Sequence, residues 1–325
     1  MKTTADSKSD LLNLYAYLIC MKNILYLLIL LSGTIIFSAC DNSPQLTKNQ
    51  ASYIASVEQW QEDRLEGLRG KNGWLNLAGI YWLEDGIQTL GSDSANDIVF
   101  PPKAPAFIGT LSLKDTLIHL EVKENVKLFY KNETVSQLDL GYDSSLMPSY
   151  ITHGDFAWYI MKRHNSLAIR LRDYKHPALE ALDHIPSYPI DPDYVVEAKL
   201  VPFDAVKTIT VATPFQDYTQ NYECPGVLHF RLKGKKHTLL PFITGDEYFI
   251  IISDESSGLQ SYAGGRFMYA SPDSSGKVVL DFNKAYNPPC AITEFAACPM
   301  PPRENHLTIK LKAGEKIIDQ NILNK

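Results

Sequence analysis

The residues best suited to chemistry crowd into the last third of the chain. SDESSGLQSYAGGRFMYA (Ser253–Ala270) and DFNKAYNPPCAITEFAACPMPP (Asp281–Pro302) bring together carboxylates, hydroxyls, amides, thiols and a guanidinium. Asp254, Ser257, Tyr262, Arg266 and Asp281 form a candidate catalytic set. In it Asp254 or Asp281 would act as base, and Arg266 would grip a carboxylate or phosphate through two nitrogens. Arg266, Asn283, Asn287 and Cys290 form a candidate ligand-binding set, whose amides suit developing negative charge. Cys290 would need a lowered thiol pKa to act as a nucleophile, and no histidine is near it in sequence.

The same residues have a structural reading. Asp254 and Ser256 fit turn positions, and Gly264–Gly265 fits a bulge. The five prolines of Asp281–Pro302 exclude a helix or a central strand, because each removes a backbone donor and fixes φ. Such a segment can be a pre-ordered loop plugging one end of the sheets, with its asparagines satisfying backbone groups. The spacing of Cys290 and Cys298 permits a disulfide across that loop without demanding one.

Standard catalytic strings are missing. There is no G-x-S-x-G, H-E-x-x-H, Walker A or G-x-G-x-x-G. The eight histidines are scattered, and Cys290 and Cys298 are too far apart for a close zinc pair. No metal and no cofactor is therefore expected. A net charge of −6 leaves no basic surplus for phosphates, so no nucleic-acid partner is expected. The one basic knot, KGKKH (Lys233–His237), reads as a solvated hairpin turn.

The elements that must position these groups follow from periodicity. Tyr53, Val57, Trp60 and Leu68 recur at helical spacing, which predicts an amphipathic helix over 51–69 ending near Gly70. Beyond it come short runs rich in Val, Ile, Tyr and Phe, such as LIHLEV, FAWYIMK, LAIRLRD, VLHFRL and KVVLDF, separated by Gly, Asn, Asp and Pro. Their alternation predicts a mostly β protein of antiparallel sandwich or barrel-like sheets, with one N-terminal helix. Residues 51–325 would form this domain, with a possible sub-boundary at 176–193, where four prolines interrupt the strands.

MKNILYLLILLSGTIIFSAC (Met21–Cys40) runs from a lysine through an apolar stretch to small residues and a cysteine, the order of a secretory signal. Its apolar run of about 16 residues is shorter than the roughly 20 needed to span a membrane. FSAC resembles a bacterial lipobox, with Phe37 where Leu is usual. The expectation is a signal peptide over 1–39 (with Met21 as an alternative start), lipidation of Cys40 and a tethering leader over 40–50. Membrane contact would then run through lipid on Cys40, in the bacterial cell envelope on a periplasmic or surface-facing side. Cys224, Cys290 and Cys298 remain, an odd number that requires at least one free thiol or outside partner.

GWLNLAGIYWL (Gly73–Leu83), GSDSANDIVFP (Gly91–Pro101), SSGLQSYAGGR (Ser256–Arg266) and above all DFNKAYNPPC with CPMPP resemble the bacterial and archaeal family of unknown function DUF1684. The resemblance runs over roughly residues 55–318 and implies no activity or substrate. GSDSANDIVFP followed by strands also resembles the opening of forkhead-associated sandwiches. There Ser92 or Asp93 replaces the phosphothreonine-binding arginine, so phosphopeptide binding is not implied. The functional expectation is a lipid-anchored module binding a small molecule or glycan; the alternative is a hydrolase built on the 254–290 region.

Overall fold

A computed structural model describes residues 47–323, apart from 146–148, 164 and 215–218. The expected signal segment, Cys20, Cys40 and most of the leader lie outside the described residues. Among the described residues no helix is long and apolar enough to cross a membrane.

The helix α1 spans Lys48–Arg69, three residues longer at its start than its apolar spacing suggests. Tyr53, Val57, Trp60, Arg64 and Leu68 fall three or four apart and so share one face. Val57 and Leu68 are buried on that face, while Tyr53 and Arg64 carry polar bonds across to the far end of the chain. The helix stops at Gly70, whose N–H meets the Glu66 carbonyl at 2.8 Å. Gly73 then passes so close to the helix end that a Cβ would lie 2.0 Å from the Leu68 carbonyl oxygen, which demands glycine.

Two sheets follow, sharing one core. The six-stranded sheet runs in the order Leu77–Trp82, Ser166–Asp173, Phe156–Arg163, Tyr150–His153, Leu128–Tyr130 and Glu133–Val135. The five-stranded sheet runs Ile98–Val99, Gly86–Gly91, Gly109–Lys114, Leu117–Val122 and Gln137–Asp139. Ile98–Val99 pairs in parallel with Gly86–Gly91, and the other pairings in these two sheets are antiparallel. Leu90, Leu111 and Leu120 from one sheet meet Trp158, Ile160 and Ile169 from the other. Period-two alternation places these residues inward.

The second half is built on a long hairpin, Val195–Ala212 with Thr219–Leu232, flanked by Lys235–Leu239 and Lys277–Asp281. Within KGKKH, Lys233 and Gly234 turn Thr219–Leu232 into Lys235–Leu239, with φ of 47° and 80°, the left-handed pair of a two-residue hairpin loop. A second sheet pairs Phe242–Thr244, Glu247–Asp254 and Arg266–Ala270, with His306–Leu307 parallel to the middle strand. Leu228, Ile250, Met268, Leu280 and Phe282 fill the space between. The fold is mostly β with several antiparallel sheets, and among the described residues none closes into a barrel. Within the proline-rich crossing at 176–193, Ala178 and Leu182 pack with Leu68, Ile292 and Ile318. Lys48–Lys325 is one compact unit.

Candidate functional site

Arg266 and Asp254 face each other across two strands, and both are closed off from solvent. Arg266 is 1% exposed; its Nη2 donates to Asp254 Oδ2 at 2.8 Å and to the Leu311 carbonyl at 3.1 Å. Its Nη1 donates to the carbonyls of Ala313 and Glu315. Asp254 Oδ1 accepts the N–H groups of Leu311 and Ser256 at 3.0 and 2.8 Å. Ser257 Oγ accepts the Asp254 N–H. Gly265 sits beside this pair at φ 83°, where a Cβ would meet Pro301 and the Ile252 carbonyl. The double glycine thus lets Arg266 enter its strand under the proline loop.

The aspartate and asparagines of DFNKAYNPPC are also engaged within the fold. Asp281 Oδ1 accepts from the Tyr53 hydroxyl at 2.8 Å, and Asn283 Nδ2 donates to that hydroxyl and to the Asp191 carbonyl. Burial, then Asp281, pushes the Tyr53 hydroxyl pKa up. Asn287 donates its N–H to buried Glu315 at 2.6 Å and its Nδ2 to the Lys316 carbonyl. Arg64 reaches the same Glu315 at 2.8 Å, while burial pushes that carboxyl up. These bonds fasten α1 to the loop.

Cys290 and Cys298 are free thiols; the disulfide permitted by their spacing is not formed. Each backbone N–H instead donates to the other sulfur, at 3.0 and 3.1 Å. The thiol–thiol hydrogen bond between them lowers the Cys290 thiol and, together with burial, raises the Cys298 thiol. Tyr262 donates its hydroxyl to the Cys290 carbonyl. The structure therefore brings Tyr262 to Cys290 and Arg266 to Asp254, but it does not assemble the candidate residues around one open space.

An open space exists nearby, a cleft of about 750 Å³. Its floor is the outer face of the six-stranded sheet. In LAIRLRD, Leu167, Ile169 and Leu171 point into the sandwich, so Arg170 must face the other way. Registration sets Arg170 beside Ile80 and Tyr159, and Met161 and Trp82 beside Ala168 on the same face. The opposite wall is the end of the proline loop, Phe295–Pro299, joined by Phe267. Trp74, from the GWLN turn after α1, also lines the cleft. The loop is held to the hairpin by Met300 N–H to the Ala212 carbonyl at 2.8 Å. Trp82 lies 46% exposed among the cleft-lining residues.

Arg170 is 8% exposed and unlike the other arginines nearby. Its Nη2 makes one long bond, 3.4 Å, to the Phe295 carbonyl, and its buried Nε has no partner. Its guanidinium lies 5.5 Å from the Trp74 ring centroid. Among the described residues no carboxylate pairs with it, whereas Arg163 pairs with Asp143 at 2.8 Å and Arg172 donates to the Gly73 carbonyl and Asn76. Burial pulls the Arg170 guanidinium below its usual range, the Tyr159 hydroxyl opposing this. A cation stripped of water and left with one long carbonyl bond and a neutral hydroxyl is costly, and an incoming anion would offset that cost. The described residues lining the cleft include Cys298 but no Asp, Glu or His.

Sequence reasoning missed Arg170, Trp74 and Trp82. One signal was present: FAWYIMK is apolar on both faces of its strand, which marks a sheet covered on both sides. A wider trough of about 1350 Å³ lies over the hairpin sheet, lined by groups such as Lys199, Arg231, Lys236 and Lys277. It is a solvated charged face in which Lys277 pairs with Glu197.

Comparison with known proteins bears on the second half. The model of DUF1684, described as a protein of unknown function, matches residues 180–316. That span holds SSGLQSYAGGR and the proline loop, while Gly73–Leu83 and Gly91–Pro101 fall outside it. An uncharacterized protein of Haloarcula marismortui, solved by solution NMR, is 34% identical over 42% of this chain and 78% of its own, with a TM-score of 0.36. No curated protein matches.

Proposed function

The chain belongs to the DUF1684 family, described only as proteins of unknown function, and we propose that it is a binding module for a small amphipathic anion held in the cleft around Arg170. The observation that carries this reading is the buried guanidinium of Arg170, with Nε unpartnered, in a cleft lined by Trp74, Trp82, Phe267 and Phe295. Aromatic walls supply apolar burial, and the lone cation supplies orientation, the usual division of labour in small-molecule sites. The setting we propose is the cell envelope, with lipid on Cys40 as anchor, on the strength of the sequence around FSAC. The alternative, a hydrolase working through Asp254, Ser257, Tyr262, Arg266 and Asp281, has less support because those side chains are spent on partners within the fold.

The test is fluorescence titration with 8-anilinonaphthalene-1-sulfonate, an aromatic anion. Saturable binding is expected, weakened roughly tenfold to a hundredfold by Arg170→Gln, the range for losing a charged hydrogen bond. Binding unaffected by that change would overturn the reading.

A further inference from the structure

From the geometry around Arg170 we infer that the cleft selects a monocarboxylate with an apolar tail over a phosphate or sugar. This rests on the binding reading above and narrows it to a ligand class.

The first argument is directional. The Trp74 ring approaches the guanidinium at 5.5 Å from its centroid, and Nε is shut away from solvent. The Nη end is left for a ligand: Nη2 has its 3.4 Å bond to Phe295, and the Tyr159 hydroxyl stands beside the guanidinium as a neutral neighbour. Two parallel N–H groups at the end of a planar fork match the two oxygens of a carboxylate lying in the same plane.

The second argument is charge. Arg163 is answered by Asp143, and Arg172 is turned to Gly73 and Asn76. The cleft therefore presents one unanswered positive charge. A monoanion matches it, whereas a phosphate dianion would carry a second charge into an apolar space without a partner. The neutral polar groups of the lining, Asn165, Ser166, Thr219 and Gln220, stand among exposed or half-buried positions.

The third argument is the body of the cleft. Ile80, Met161, Trp82, Phe267 and Phe295 make it apolar, and about 750 Å³ falls in the range of pockets for drug-sized ligands. A sugar would bring several hydroxyls into this lining and leave them unpaired. An aryl or alkyl tail would not.

The test uses the full chain and displacement of 8-anilinonaphthalene-1-sulfonate by three probes with one tail: 4-phenylbutyrate, 4-phenylbutyl phosphate and 4-phenylbutanol. The expected order is butyrate first, by at least tenfold over the phosphate, with the alcohol weakest. Arg170→Lys keeps the charge but loses the fork, and should shrink the preference for the carboxylate over the phosphate. If the phosphate displaces the dye as well as or better than the carboxylate, the ligand class is wrong while the anion-binding reading stands. If the alcohol equals the carboxylate, the anion-binding reading falls as well. If Arg170→Lys retains the full carboxylate preference, the fork is not its source and the inference fails.

Discussion

Arg266 and Arg170 are both buried arginines on strands, and their surroundings could hardly differ more. Arg266 donates to a carboxylate and three carbonyls from the same C-terminal stretch. Arg170 has one long bond to a carbonyl and the neutral Tyr159 hydroxyl beside it. A buried charge with a full set of partners is a fastening, and removing one member strands the rest. A buried charge with no carboxylate and few partners is the one we propose an anion answers. Burial and residue type alone do not separate these cases; the accounting of donors does.

The comparison can be broken at several points. The largest expected effect is Arg266→Met, which leaves Asp254 buried and unpaired and should cost about 3–5 kcal/mol in denaturant unfolding. Arg170→Met replaces a poorly satisfied cation with an apolar side chain of similar length. Its stability should stay within about 1 kcal/mol of the parent or rise, while dye binding is lost. If the two variants unfold alike, the contrast between the arginines is wrong. A smaller effect is expected from Tyr53→Phe, which removes the hydroxyl joining Asp281 and Asn283 and should cost about 1 kcal/mol. Because the folded state raises the Tyr53 pKa, its contribution is whole below the ordinary value of 10.0 and fades as pH rises beyond it. The gap between parent and variant should accordingly narrow in unfolding curves taken above pH 10. Smallest of all is Lys277→Ala: its pair with Glu197 is exposed and screened by solvent, so the denaturant midpoint should stay unchanged within error. Separately, alkylation of the denatured, unreduced protein should label both Cys290 and Cys298, read by mass spectrometry of the loop peptide.

Much of the fold was legible in the sequence. The helix announced itself by Tyr53, Val57, Trp60 and Leu68, and the hairpin turn by Lys233 and Gly234. The ordered character of the proline loop followed from its missing donors. The candidate site was less legible, because Asp254, Asn283 and Asn287 look reactive by type while their partners lie at Leu311, Tyr53, Asp191 and Glu315. Such long-range pairings leave no local trace. Arg170 was hidden for the converse reason. Its orientation can be read from LAIRLRD, but its isolation depends on the second half of the chain covering that face of the sheet.

The knot of contacts at Leu311–Glu315 also has a meaning in time. Arg266 and Asp254 wait on Leu311, and Arg64 waits on Glu315, 251 residues further along. A growing chain holds Arg64 without its carboxylate until Glu315 has been made, and the Arg266–Asp254 pair without its remaining partners until Leu311. Closure between such distant points is slow, since the loop entropy is lost before the contact forms. A chain cut short of Leu311 should therefore be more open to a protease around Asp254 and Arg266 than the full chain.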